Sequence, residues 1–166
     1  MERSDTHTYD APVDAVIAMF ADPEAVTARY ESMGHRDIVV LECERTDGAL
    51  TVRTSRVVDV DLPGFARKVL KPTNTMVQSD EWTATADGGW DGTFTVEVAG
   101  APVHLGGTMR LSPAGSTTTM ALTIRMDVKV PLVGGRIADW AGKNDVRSTM
   151  DAEFAAGDAW LAAHPA

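Results

Sequence analysis

The stretch that decides the fold is VKVPLVGGRIADWAGK, residues 128–143. Its first residues continue a strand-like alternation, which ends at Pro131 because proline removes a donor from a sheet ladder. Gly134 and Gly135 follow, and two glycines in succession allow the backbone to reverse tightly and begin a helix. This arrangement predicts that the last strand of the protein passes directly into its last helix.

Six strand-like segments lead up to or enter this stretch, and short turn signals join them in pairs. The pairs are residues 37–45 with 49–61, 75–86 with 90–98, and 103–113 with 117–130. Apolar residues alternate with polar ones along the later strands. In the last strand the apolar face is formed by Met120, Leu122, Ile124, Met126, Val128 and Val130. One apolar and one polar face predict an antiparallel sheet that is covered on one side only.

The remaining elements complete an α+β fold. Residues 4–9 favour a first strand, and two short helices follow, the second beginning at Asp22-Pro23 and ending before Gly34. From about 136 to 164 the sequence is helical in character, with Gly142 and Gly157 as weak points. We therefore predict a curved antiparallel sheet of about seven strands wrapped around one long C-terminal helix.

Composition narrows the class of protein. The 166 residues carry no linker or repeat, so we expect one domain spanning residues 1–166. A net charge of −9 argues against nucleic acid or an anionic membrane as the main partner, since both need a basic face. The polar N-terminus does not resemble a signal peptide, and we find no apolar run of membrane-spanning length. We expect a cytoplasmic protein without integral membrane association.

Four short motifs suggest a family. They are LPGFARKVL at 62–70, DEW at 80–82, VPLVGGRI at 130–137 and the terminal WL at 160–161. With the order of elements above, the chain resembles the START-like (SRPBCC) superfamily of helix-grip proteins, which includes polyketide cyclases and lipid-transfer domains. More narrowly, it looks like a bacterial subfamily of unknown function. The resemblance covers nearly the whole chain, and it is specific for the fold but weak for the chemistry.

The resemblance implies a cavity between sheet and final helix that binds a hydrophobic or amphipathic small molecule, lipid or polyketide-like. The preferred interpretation is a carrier or sensor that is monomeric or homodimeric and has no cofactor. One alternative is an enzyme of the cyclase or dehydratase type acting in the same cavity. A second alternative is a protein-interaction module similar to the chaperone-regulator branch, which would use the outer face of the sheet.

Side-chain alternation selects the candidate cavity residues of the sheet. In the third and fourth strands they are Val52, Arg56, Asp80 and Trp82. In the later strands they are Phe94, Val96, Leu105, Met109, Leu122, Ile124 and Met126. A buried arginine needs a carboxylate, so Arg56 is expected to pair with Asp80 on the neighbouring strand. The competing interpretation is that the apolar members only fill a core.

Helix and loop residues complete the candidate set. On one side of the final helix lie Ile137, Trp140, Asn144 and Ser148, of which the last two could meet a polar group of a ligand. The segment 61–74 is long for a hairpin loop, so we interpret it as a lid with Phe65 and Val69 pointing inward. Alternatively, Phe65 is a plug in the core.

Catalytic and metal-binding patterns are not recognisable in the sequence. The histidines are scattered without metal-ligand spacing, and His35 is interpreted as a surface loop residue near the cavity mouth. The only cysteine, Cys43, has no sequence-local base and shares parity with Val39 and Leu41, which predicts a small core residue. We therefore predict no catalytic residue and no metal site.

Overall fold

The structure is a computed structural model that describes residues 1–165. Within this range the chain forms one antiparallel sheet of seven strands in the order β1-β7-β6-β5-β4-β3-β2. The strands are β1 (Glu2–Tyr9), β2 (Arg36–Thr46), β3 (Ala49–Asp59), β4 (Thr73–Ala84), β5 (Trp90–Val98), β6 (Val103–Ala114) and β7 (Thr117–Val128). The predicted hairpins are present, and β1 forms one edge of the sheet by pairing with β7.

Two short helices separate β1 from β2, as the sequence indicates. They are α1 (Val13–Phe20) and α2 (Pro23–Ser32). Asp22 caps α2, because its carboxylate accepts a hydrogen bond of 2.9 Å from the backbone N–H of Glu24. Four residues of α2 are buried, namely Ala25, Val26, Arg29 and Tyr30. One of them is charged, and it bears on the site described below.

The passage from β7 to the C-terminal helices explains the first of the paired glycines. The strand ends at Val128, and α3 (Gly134–Lys143) begins after a turn in which Val130 donates to the Val128 carbonyl at 3.0 Å. A side chain at Gly134 would overlap that same carbonyl. Glycine is therefore required here by the close approach of two backbones.

The predicted long C-terminal helix is present, and it is bent. It divides at Asn144 into α3 and α4 (Asp145–Ala163). The Asn144 side chain donates a 2.9 Å hydrogen bond to the Trp140 carbonyl, which its own backbone N–H also contacts at 3.1 Å. An asparagine that competes with the backbone in this way interrupts a helix, and the neighbouring Gly142 weakens it further.

The edge strand β2 departs from simple alternation. Its register with β3 shifts between Arg36 and Val39 and again between Val40 and Glu42. Each bulge reverses the faces of the residues after it, so Val39 and Leu41 are 53% and 50% exposed. Cys43 returns to the inner side, half-buried, with its thiol donating to the Ala21 carbonyl at 3.1 Å. The alternation that placed Val39, Leu41 and Cys43 on one inner face was therefore wrong for Val39 and Leu41.

The core lies between the inner face of the sheet and the helices. The largest fully buried side chains come from both layers and include Trp82, Tyr9, Leu111, Ile137 and Met150. A second, smaller cluster lies under the segment between β3 and β4, where Leu62 and Ala66 pack on Ile137 and Ala138. None of the described helices is both long and apolar enough to cross a membrane.

Candidate functional site

A cavity of about 370 Å³ lies between the inner face of the sheet and the C-terminal helices. Strands β3 to β7 form its floor, while α2, α3 and α4 contribute to its sides and roof. A volume of this size is at the lower end of the range that binds drug-sized small molecules.

One side of the cavity, the apolar wall, is built by β5, β6, β7 and α3. Its members are Phe94, Val96, Val98, Val103, Leu105, Met109, Met120, Leu122, Ile124, Met126, Val128, Ile137 and Trp140. The alternation of each strand directs these side chains inward. Methionine is flexible and polarisable, so Met109, Met120 and Met126 let this wall adapt to different shapes.

A second part of the lining, the polar wall, is formed by Arg29, Tyr30, His35, Arg56, Gln78 and Asp80. Arg56 is its centre, buried to 6% exposure. Its guanidinium donates to Nδ1 of His35 at 3.2 Å, to the hydroxyl of Thr54 at 3.4 Å and to Oε1 of Gln78 at 2.7 Å. All three acceptors are neutral groups, so the charge of Arg56 is hydrogen-bonded but not neutralised by them.

Gln78 stands between Arg56 and Asp80, which corrects the expected ion pair. The register of β3 and β4 places Asp80 opposite Val52, two positions beyond Gln78. The Gln78 amide accepts from Arg56 and donates from Nε2 to Oδ1 of Asp80 at 2.8 Å. Burial raises the pKa of Asp80 to about 6, although the Gln78 hydrogen bond and the arginines oppose this shift.

His35 is part of the wall and is not a free surface residue. Its ring is half-buried and stacks on Tyr30 with centroids 5.6 Å apart. Burial, together with the neighbouring Arg56 charge, lowers the pKa of His35 to about 4. His35 is therefore neutral at physiological pH, which suits it to accept the hydrogen bond from Arg56.

Tyr30 supports both arginines of the wall. The Cζ atom of Arg56 lies 4.0 Å from the centroid of its ring, and that of Arg29 lies 5.9 Å away. A cation above an aromatic face is stabilised by the ring quadrupole. Burial raises the pKa of Tyr30 to about 12, so its hydroxyl stays protonated and available as a donor.

Arg29, like Tyr30 and Gln78, is a residue of this wall that sequence reasoning did not select for the site. It is 3% exposed, and its Nε and Nη1 atoms are buried without an acceptor among the described residues. The missed signal is helical spacing, since Arg29 follows Ala25 and Val26 by four and three positions on the buried face of α2. A charged residue on the apolar face of a helix is unusual, and this signal would have identified Arg29 as a candidate site residue.

The roof adds acidic groups from α4. Glu153 and Asp145 both line the cavity, and burial raises the pKa of Asp145. Asn144 and Ser148 lie beside Asp145 at a separate surface cleft near Leu62, and Ser148 also reaches the main cavity. Both of these polar residues are exposed.

Most of the predicted residues line the cavity, and the exceptions have specific reasons. Val52 and Trp82 belong to the packed core, where Trp82 covers Gly92 and meets Phe20 at 5.3 Å. Phe65 and Val69 are half-buried in the smaller cluster beside α3, and Leu62 and Leu70 of the same segment line the cavity. The structure places the other predicted residues except Asn144 along the cavity, and their contact with a ligand stays a prediction; they are Arg56, Asp80, Phe94, Val96, Leu105, Met109, Leu122, Ile124, Met126, Ile137, Trp140 and Ser148.

Metal coordination finds no support in residues 1–165, where no group of three or more His, Cys, Asp or Glu side chains is placed to hold an ion. The side chains that line the cavity offer hydrogen bonding, charge and apolar contact. Its two walls differ sharply in polarity, and this contrast is the main feature of the site.

Comparison with known proteins places this geometry in a family. The family model described as "Protein of unknown function (DUF2505)" matches residues 4–161. An uncharacterised protein of Mycobacterium tuberculosis is 27% identical over 140 residues, which is 78% of this chain and 79% of that protein.

Solved structures with the same architecture include three informative cases. A protein from Thermus thermophilus matches with a TM-score of 0.65 and 18% identity over 99% of both chains. The Zhui aromatase/cyclase from a Streptomyces species matches with a TM-score of 0.60 and 18% identity over 99% of this chain and 96% of that one. A START superfamily protein from Mycobacterium smegmatis matches with a TM-score of 0.55 and 14% identity over 96% of both. At these identities the likeness shows the fold alone, and that fold is the START-like helix grip.

Proposed function

The chain belongs to the DUF2505 family, and from its START-like fold and two-sided cavity we propose that the protein binds one hydrophobic or amphipathic small molecule. In this proposal residues 1–166 act as a single ligand-binding domain, as a carrier or a sensor. The observation that carries the proposal is the apolar wall, whose side chains pack into the core and also line an open cavity of about 370 Å³. Transfer of an apolar chain from water onto such a wall is favourable by about 25 cal/mol per Å² of buried surface.

The polar wall supports an amphipathic ligand over a purely apolar one. Buried polar groups orient ligands in cavities that are otherwise apolar, and here they are collected on β3, β4 and α2. A ligand with one polar end and an apolar body would match both walls at once.

The test is binding of Nile red, a neutral dye whose fluorescence rises in apolar surroundings. Wild-type protein should bind it at one site, and Ile124→Trp or Met126→Trp should abolish binding by filling the space between β7 and α3. Arg53→Gln, on the exposed outer face of β3, is the control and should bind like wild type. Unchanged Nile red affinity in both tryptophan variants, each shown to be folded by circular dichroism, would rule out the cavity as the site.

A reaction in the same cavity is the second candidate, and two side chains favour it. Asp80 and His35 both face the cavity, and burial shifts their pKa values in opposite directions, that of Asp80 up to about 6 and that of His35 down to about 4. Groups of this kind are typical of general acid–base sites. The fold likeness to an aromatase/cyclase suggests a polyketide-like substrate. If wild-type protein turns over such a compound and Asp80→Asn does not, the protein is an enzyme.

A further inference from the structure

The donors of Arg29 are incompletely matched by the protein. Its guanidinium lies over the rings of Phe20 at 4.9 Å and Tyr30 at 5.9 Å, which stabilises the positive charge. Aromatic faces do not accept in-plane N–H hydrogen bonds, and Nε and Nη1 are buried without an acceptor in the described part of the chain. A buried donor without an acceptor is costly to the fold unless a bound group supplies one.

Arg56 raises the positive charge of the same region. Its donors are bound to the neutral side chains of His35, Thr54 and Gln78. Within residues 1–165, neither Arg29 nor Arg56 has a carboxylate oxygen within 4.0 Å of a guanidinium nitrogen. Both arginines line the same cavity, and their Cζ atoms lie 5.9 Å (Arg29) and 4.0 Å (Arg56) from the centroid of the Tyr30 ring.

The acidic residues of the cavity do not fill this role. Asp80 is engaged by Gln78, and its raised pKa means that burial outweighs the stabilisation it receives from the two arginines. Glu153 and Asp145 face the cavity from α4, outside ion-pair distance of either guanidinium. The polar wall therefore holds two buried cations without a direct anionic partner, a costly arrangement for charged groups.

We propose that the ligand is an amphipathic carboxylate, whose apolar chain lies against the apolar wall and whose carboxylate is bound by Arg29 together with Arg56. A carboxylate has two acceptor oxygens in the plane that a guanidinium prefers, and charge-assisted hydrogen bonds of this kind are the strong ones. This inference rests on the proposed ligand-binding function and specifies the chemistry of the ligand's polar end.

The experiment compares decanoate with decanol, which share a chain and differ in the charge of the head group. Each is titrated against the Nile red complex below its aggregation limit, at a pH where the fatty acid is ionised. Decanoate should displace the dye at a concentration at least about tenfold lower than decanol, as expected for charge-assisted hydrogen bonds in a buried site. Equal potency of decanoate and decanol in wild-type protein would overturn the carboxylate assignment.

Two variants locate the effect. Arg29→Gln should weaken displacement by decanoate much more than displacement by decanol, and so remove most of the preference, because the charged head-group contact is lost. Arg53→Gln removes one positive charge from the outer face of β3 and should keep the full preference. A preference that falls equally in both variants would mean that net charge, and not Arg29, selects the anion.

Failure of this inference is distinguishable from failure of the proposed function. If Nile red binds and decanol displaces it as well as decanoate does, the cavity binds ligands but does not select carboxylates. If neither Nile red nor the two probes bind, the ligand-binding proposal itself is wrong. The wild-type comparison alone decides the head-group question, so the result does not depend on whether Arg29→Gln folds.

Discussion

Arg56 and Asp80 are joined through the side-chain amide of Gln78 and do not form an ion pair. Arg56 donates to the amide oxygen at 2.7 Å, and the amide nitrogen donates to Asp80 at 2.8 Å. This relay leaves Asp80 in a buried site without a direct cation, which explains why its pKa is raised to about 6. The stability of the protein should therefore respond to pH through this carboxyl.

Replacement of Asp80 by asparagine should stabilise the protein near neutral pH. Because the pKa of Asp80 rises from 3.8 to about 6 on folding, its ionisation favours the unfolded state as the pH increases through that interval. Asp80→Asn removes this loss, so its free energy of unfolding should exceed that of wild type by about 1–3 kcal/mol at neutral pH. Urea unfolding at a series of pH values from acidic to neutral measures this difference in stability. The difference should shrink at pH values below the ordinary pKa of a carboxyl group. A variant less stable than wild type at neutral pH would contradict the relay.

His35 should contribute a pH dependence of opposite sign. Its pKa falls from 6.5 to about 4 on folding, so protonation favours the unfolded state as the pH drops through that interval. In His35→Gln, whose amide oxygen can still accept from Arg56, the decline in stability at acidic pH should be smaller by about 1–3 kcal/mol. The same urea titration applies, with His104→Gln on the exposed outer face of β6 as the control. An acid-induced decline that is the same in His35→Gln and wild type would place His35 in solvent.

Gly92 should tolerate no side chain, because Trp82 lies directly over it. A Cβ atom at Gly92 would stand 2.7 Å from Cε3 of the indole. Gly92→Ala should therefore lower the free energy of unfolding by about 1–3 kcal/mol through overpacking. Gly64→Ala is the matched control, since its added Cβ has no atom within 4 Å. Equal stability of the two variants would mean that Trp82 does not pack as described.

Phe65 should behave as a packing residue of the smaller cluster more than as a gate. Its ring is half-buried and lies 4.0 Å from the guanidinium carbon of Arg136, outside the cavity lining. Phe65→Ala should cost about 1–3 kcal/mol of stability, less than a fully buried phenylalanine would, and should leave Nile red affinity unchanged. Thermal unfolding and stopped-flow binding provide the two measurements. Unchanged stability with faster association and dissociation would instead support a lid.

The fold was predictable because its signals are local. Alternation in β5 to β7, the short turn signals between paired strands and the glycines after Pro131 specify the hairpins and the passage into the final helix. The bend at Asn144 was not predicted, because it depends on which partner the asparagine side chain selects in the folded chain.

The candidate site was predictable only in part. Side-chain alternation along β3 and β4 placed Arg56 and Asp80 on the inner face of the sheet. That Gln78 links them depends on the register between the two strands. The burial of His35 depends on its packing against Tyr30 and Arg56, which no local pattern contains. Arg29 was visible as a charged residue on the buried stripe of α2, and this signal was overlooked.

The most direct test of the central claim is to locate a bound ligand by nuclear magnetic resonance. Protein labelled at methionine and isoleucine methyl groups is titrated with decanoate, and intermolecular Overhauser contacts are recorded. The account predicts contacts from the decanoate chain to Met109, Ile124 and Met126, with no contact to Met19, which is buried in the core away from the cavity lining. Saturable binding without contacts to these cavity methyl groups would contradict it.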